Sequence, residues 1–143
     1  MRTVAAALSL LMLVATSAST QAPKENPVVA EMIKALGEKA RKPAGEVFRN
    51  VQLLKDVPAD RFLRIMDVGY SQSLGVTCDH CHVEDRWETD EKRPKRAARE
   101  MIVMTRGIND TLGKLTEIDS SGDASVNCTT CHRGYAKPAT QMR

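Results

Sequence analysis

Aromatic side chains are scarce in this chain: two phenylalanines, two tyrosines and one tryptophan among 143 residues. Aromatic residues supply much of an ordinary core, so a small domain this poor in them needs another source of burial. Histidine is rarer still, at three residues. Charge of one sign is not in excess either, since the formal net charge is +3. That leaves no strongly basic face of the kind nucleic acid requires, and nucleic acid is not expected as a partner. No alternating strand pattern stands out, which points to an all-α fold.

Asp and Glu are missing from the first 22 residues, where Arg2 precedes an apolar run from Val4 to Val14 and small residues continue to Ala22. This is the pattern of an export leader, and the run is short for a bilayer span. Cleavage is expected near Ala18 or Ala22. The mature protein is then periplasmic or otherwise exported, near a membrane only by proximity. Residues 23–45 read as a polar segment holding one short helix, with Asn26 as N-cap, Pro27 at the first helical position, and Val28, Val29, Met32, Ile33 and Leu36 on one face. Residues 46–143 form the functional domain.

Within that domain a helix is expected from near Pro58 to a stop at Gly75, with Phe62, Met66, Gly69 or Tyr70, and Ser73 or Leu74 at helical spacing. Five acids (Glu84, Asp85, Glu88, Asp90, Glu91) then precede five bases (Lys92, Arg93, Lys95, Arg96, Arg99). A long helix should run from about Pro94 to Leu115, burying Ala97, Met101, Thr105, Ile108, Leu112 and Leu115 while Met104 points away. A turn-forming loop at residues 120–124 follows.

The four cysteines fall in two pairs, Cys78-Asp79-His80-Cys81-His82 and Cys128-Thr129-Thr130-Cys131-His132. Both fit the haem-attachment pattern. Two thiols three residues apart lie on one side of a helical turn and reach the two vinyl groups of one porphyrin. The adjoining histidine then presents its imidazole to the iron. Two of the three histidines occupy that same position, a coincidence more specific than either motif alone. A four-cysteine zinc site would need closure over the 46 residues between the pairs. Two disulfides suit an exported chain, and a thioredoxin-like thiol pair would need a βαβ context that is missing. None of the three explains the histidines. His80 reads as solvent-facing. The cofactors expected are therefore two c-type haems, held covalently by Cys78 and Cys81 and by Cys128 and Cys131, with His82 and His132 on the irons.

A sixth ligand from methionine closes an iron and suits electron transfer. The candidates beyond the leader are Met32, Met66, Met101, Met104 and Met142. Met66 lies in the helix before the first motif. Met101 lies on the inward stripe of the helix before the second, and Met104 is the second choice there.

The stretch from about Glu46 to Lys137 resembles the photosynthetic reaction-centre cytochrome c subunit family. The resemblance is carried by Val47-Phe48-Arg49-Asn50-Val51, Met66, Gly75-Val76-Thr77-Cys78, the block Ala98-Arg99-Glu100-Met101-Ile102-Val103-Met104-Thr105-Arg106-Gly107-Ile108-Asn109, and Cys128-Thr129-Thr130-Cys131-His132-Arg133-Gly134. Matched residue by residue, it implies Met66 for the first iron and Met101 for the second. It also implies helices lying along the haems, each leading into an attachment turn. Four haems are described for that family, against two motifs here, so the chain resembles a truncated, two-haem relative.

The expected fold is thus an all-α, small multihaem cytochrome c built from two helix–loop–CxxCH units. The expected function is a periplasmic di-haem carrier that relays single electrons between redox proteins, one as donor and one as acceptor. Nothing in the sequence supplies a general acid or base beside an iron, so neither catalysis nor a small-molecule substrate is expected. The alternative is a small peroxidase-like haem enzyme with one open iron. Two readings fit the basic run: Arg93, Arg96 or Arg99 faces a haem propionate, or the run is balanced by the acids at 84–91.

Overall fold

The computed structural model describes residues 24–118 and 124–141. The leader at 1–22, Met142 and most of the loop at 120–124 lie outside the described residues. The described residues are helical, without a strand; the nearest approach to a sheet is two isolated bridges, Pro43 with Pro58 and Val83 with Arg86. No helix among them is long and apolar enough to cross a membrane.

Helix α1 (Pro27–Leu36) starts as its residues dictate. The Asn26 side chain accepts from the Val28 N–H, and Pro27 occupies the first turn. Val29 is its buried residue, whereas Val28 and Met32 of the expected face are exposed. A 3-10 turn (Gly37–Arg41) and the short α2 (Ala44–Val47) follow. The chain then doubles back on itself: Ala44 N–H donates to Val57 C=O at 2.8 Å and Ala59 N–H to Lys42 C=O at 2.9 Å. Ala44 and Ala59 are fully buried at this crossing. Phe48 and Phe62 stack beside it at 5.4 Å.

Helix α3 (Ala59–Arg64) begins one residue later than expected, with Pro58 as its N-cap. It then widens into a π-helical stretch (Ile65–Gln72) that carries Met66. The apolar spacing does not distinguish 3.6 from a wider turn over so short a run, which is why the sequence pointed to an ordinary helix. Two local features fit the widening. The Ser73 hydroxyl donates to Val68 C=O, five residues back, at 3.0 Å. Gly69 takes the crowding, since a Cβ there would sit 3.3 Å from the Ile65 side chain. Helical backbone continues past Gln72 and stops at Gly75 (φ +64) as expected, with Val76 N–H on Ser71 C=O and Gly75 N–H on Gln72 C=O.

Helix α4 (Cys78–Cys81) is the first cysteine turn, α5 (Arg93–Leu112) the long helix, and α6 (Cys128–His132) the second cysteine turn. Two expectations for α5 need correction. It stops at Leu112, where Gly113 caps it, so Leu115 lies beyond the helix. No residue of α5 is buried: Ala97, Thr105 and Leu112 are half-covered, and Met101 and Ile108 are exposed. Polar bonds, not an apolar stripe, attach this helix to its neighbours. Arg106 donates to Leu53 C=O at 3.0 Å, Arg99 pairs with Asp90 at 2.8 Å, and Asn109 grips Val126.

Candidate haem-binding site

The two cysteine turns start differently, and only the second has a side-chain cap. Thr77, in extended backbone, precedes α4, and its hydroxyl donates to Asp79. Asn127 and Thr130 form a reciprocal capping box at α6, with Thr130 N–H on Asn127 Oδ1 at 3.1 Å and Asn127 N–H on Thr130 Oγ1 at 3.0 Å. That pattern, two side chains three residues apart, is a signal of a helix start carried by the sequence itself. All four cysteines are free and half-covered or exposed.

The two histidines are oriented alike. His82 Nδ1 lies 2.9 Å from Trp87 C=O, and His132 Nδ1 lies 2.9 Å from Tyr135 C=O. A carbonyl carries no proton, so Nδ1–H is the donor in each pair. In the neutral ring this leaves the lone pair on Nε2, the arrangement of an imidazole that ligates a metal through Nε2. Burial pushes the pKa of His82 down, and the Lys95, Arg99 and Lys92 cations add to this against the opposing Trp87 bond. The neutral, ligating form is thereby favoured. His80 is exposed, as expected.

The thiols argue against the rival chemistries. Burial raises the pKa of Cys81, and burial likewise raises that of Cys128. A thiol redox site needs a depressed value. Among the described residues, no three His, Cys, Asp or Glu side chains converge as a metal-holding group.

The segment that leads into the first motif packs against the second motif. Ser73, at the end of the stretch carrying Met66, is 5% exposed, and its Oγ lies 2.6 Å from the Thr129 Oγ1 inside the second motif. Gly134 N–H donates to Ser73 C=O at 2.8 Å. The Gly75 backbone presses on Gly134: a Cβ at 75 would stand 2.0 Å from the Gly134 carbonyl oxygen. Tyr70 sits between the motifs. Burial pushes its pKa up to about 12, the Cys128 and Cys81 thiols add to that shift, and Arg106 and Arg99 oppose it.

The methionines are less sharply distinguished. Met66 is half-buried. Met101 is 42% and Met104 49% exposed on α5, so the protein's own packing does not separate an inward Met101 from an outward Met104. With Ile108, also exposed, they give α5 an apolar face, on a helix that packs against the first cysteine turn. Free thiols on one side of a turn, an imidazole presenting Nε2, and a nearby apolar helix face make a donor set that fits a covalently attached haem.

Arg96 and Arg99 find their partners in the acidic loop. Arg96 donates to the Asp90 and Glu91 carbonyls, and Arg99 to the Asp90 carboxylate. Asn50, left-handed at φ +59, donates to the same carboxylate at 2.9 Å. Arg99 and Asn50 hold the Asp90 carboxyl well below the usual carboxylate range. Lys95 reaches Trp87 C=O and Thr89 C=O, both at 2.8 Å. Arg93 is exposed.

A family model for the photosynthetic reaction centre cytochrome C subunit matches residues 7–142. The chain is 36% identical over 101 residues to a photosynthetic reaction center cytochrome c subunit of Roseobacter denitrificans, a match covering 67% of this chain and 26% of that subunit. It is also 36% identical over 97 residues to the corresponding subunit of Thermochromatium tepidum, covering 66% and 22%. A cytochrome c-554 of Chloroflexus aurantiacus is 31% identical over 83 residues, covering 58% and 20%. The chain thus spans about a quarter of the length of the subunits it matches.

Proposed function

The chain belongs to the photosynthetic reaction centre cytochrome C subunit family, and from that premise we propose that it is a di-haem c-type cytochrome that relays single electrons between redox proteins. The observation that carries the reading is the repeated second hydrogen bond. Each motif histidine spends Nδ1–H on a backbone carbonyl and keeps Nε2 for a metal. In this reading Cys78 and Cys81 hold one haem and Cys128 and Cys131 the other, with His82 and His132 as ligands on one side of each iron. Met66 and Met101 complete the two sites, and Met104 is the second choice for the latter. Membership supports Met101 through the matched block; exposure does not separate it from Met104.

A haem supplies a one-electron couple, and the chain's part is to hold, orient and tune it. Trp87 and Tyr135 fix the imidazoles through their carbonyls. The junction of Ser73, Gly75, Thr129 and Gly134 ties the segment leading into the first attachment turn to the second turn, which limits how far apart the two centres can lie. Residues 1–22 would direct export, and 23–45 would serve as a packing segment ahead of the haem-bearing domain.

Haem content per chain and ligand identity test this reading together. Protein exported from a cytochrome-maturing host should carry two haems that survive boiling in denaturant, show a sulfur-to-iron absorption band, and bind no carbon monoxide when native and reduced. Carbon monoxide binding would instead assign one iron to an open, enzyme-like site. A chain without covalent haem would overturn the proposal.

A further inference from the structure

The Trp87 carbonyl oxygen is shared. It accepts from His82 Nδ1 at 2.9 Å and from Lys95 Nζ at 2.8 Å. We propose that Lys95 is a positioning residue for the first haem site, which weakens the hydrogen bond His82 gives to Trp87 and so raises the potential of the iron His82 binds. This rests on the reading of His82 as an iron ligand.

The side chain of Lys95 is 12% exposed, and its three donors face Trp87 C=O, Thr89 C=O and, at 3.5 Å, the Asp90 carboxylate. A cation in the first turn of a helix is disfavoured by the helix dipole. The three acceptors offset that cost, and the two carbonyls, both at 2.8 Å, hold the ammonium in place without need of the more distant carboxylate.

A carbonyl oxygen has two lone pairs. An ammonium on one of them draws electron density from the other, leaving a poorer acceptor for the imidazole N–H. A less strongly bonded Nδ1–H gives the imidazole less anionic character, so it stabilises ferric iron less and the reduced state is favoured. The ammonium charge acts in the same direction through space. At the second motif the accepting carbonyl belongs to Tyr135, three residues beyond His132 and on a different segment from Lys95. The effect therefore belongs to one haem.

The test uses full-length, haem-loaded protein in five forms: wild type, Lys95→Met, Lys95→Gln, Lys92→Met and Asp90→Asn. Lys92 is a neighbouring cation that bonds Asp79 C=O instead of Trp87 C=O. Asp90→Asn loosens the acidic loop and leaves Lys95 on the carbonyl. Mass spectrometry first counts haems; a wild type with none refutes the ligand reading itself. Potentiometric titration and proton–nitrogen NMR of the reduced protein then follow in forms that carry two.

Lys95→Met should shift one haem toward the oxidised state by severalfold, up to about tenfold in its equilibrium constant (59 mV for one electron). The other midpoint should stay in place, and the His82 Nδ1–H resonance should move downfield. Lys95→Gln, which keeps a neutral donor, should move both readouts the same way by less. It carries the sign of the effect if the methionine variant fails to mature. Lys92→Met and Asp90→Asn should leave the Nδ1–H resonance where it is. An unmoved resonance in both Lys95 variants overturns the proposal, and so does an equal shift of both haems. The same resonance shift in Asp90→Asn also overturns it, assigning the effect to loop disorder.

Discussion

Replacing Met66 or Met101 by histidine exchanges a thioether for an imidazole, which lowers a haem potential. Each variant should lose about half of the sulfur-to-iron absorption band and lower one midpoint; an unchanged band in Met101→His with a halved band in Met104→His would move the ligand to Met104. Asp90 gives a pH signature. Its carboxyl is held below its ordinary value by Arg99 and Asn50, so the stability it adds is present above about pH 4 and is lost as pH falls through the depressed folded value. The gap in melting temperature between wild type and Asp90→Asn should therefore be full at pH 6 and shrink below pH 4. A gap that is constant with pH would show that Asp90 acts through shape, not charge. The motif residues themselves were legible because haem attachment, as proposed, would fix their spacing along the chain. Their partners were not: Trp87 and Tyr135 act through backbone carbonyls, which any residue type supplies, and loop conformation alone decides which carbonyl arrives.

Gly75 and Gly37 separate two demands on the helices and their ends. Both have positive φ, but a Cβ at Gly37 meets nothing within 4 Å, whereas one at Gly75 strikes the Gly134 carbonyl. Gly37→Ala should cost about 1–2 kcal/mol for backbone strain alone. Gly75→Ala should cost at least ~1 kcal/mol more from the overlap, as measured by denaturant unfolding of the haem-loaded protein. Equal costs would mean that Gly75 and Gly134 do not touch as described. Asn109 is the corresponding anchor on α5. Its amide donates to Val126 C=O at 3.0 Å and its carbonyl accepts from Val126 N–H at 2.7 Å. Asn109→Ala should remove about 1–3 kcal/mol. Helix α1 was readable from Asn26 and Pro27 because its caps are local. The π-helical turn after Arg64 and the uncovered face of α5 were not, since the apolar periods of Met66 and Met101 say nothing of turn width or of what lies opposite.

Taken together, the chain's own core is small. Among the described residues only Val29, Ala44, Ala59 and Leu63 are buried hydrophobics, and no large side chain is fully buried. That agrees with the scarcity of aromatics in the sequence and with the proposal that haem supplies the missing burial. A variant with Cys78, Cys81, Cys128 and Cys131 all changed to alanine should lose cooperative thermal unfolding and much of its helical circular dichroism. A native-like transition in that variant would assign the core to the polypeptide alone. The most direct measurement is the mass of the purified protein after export through a cytochrome-maturation system. The account predicts the polypeptide mass plus two covalently bound haems, with one macrocycle mapping to the peptide that holds Cys78 and Cys81 and the other to the peptide that holds Cys128 and Cys131. Bare polypeptide, or a haem on only one of those peptides, would contradict it.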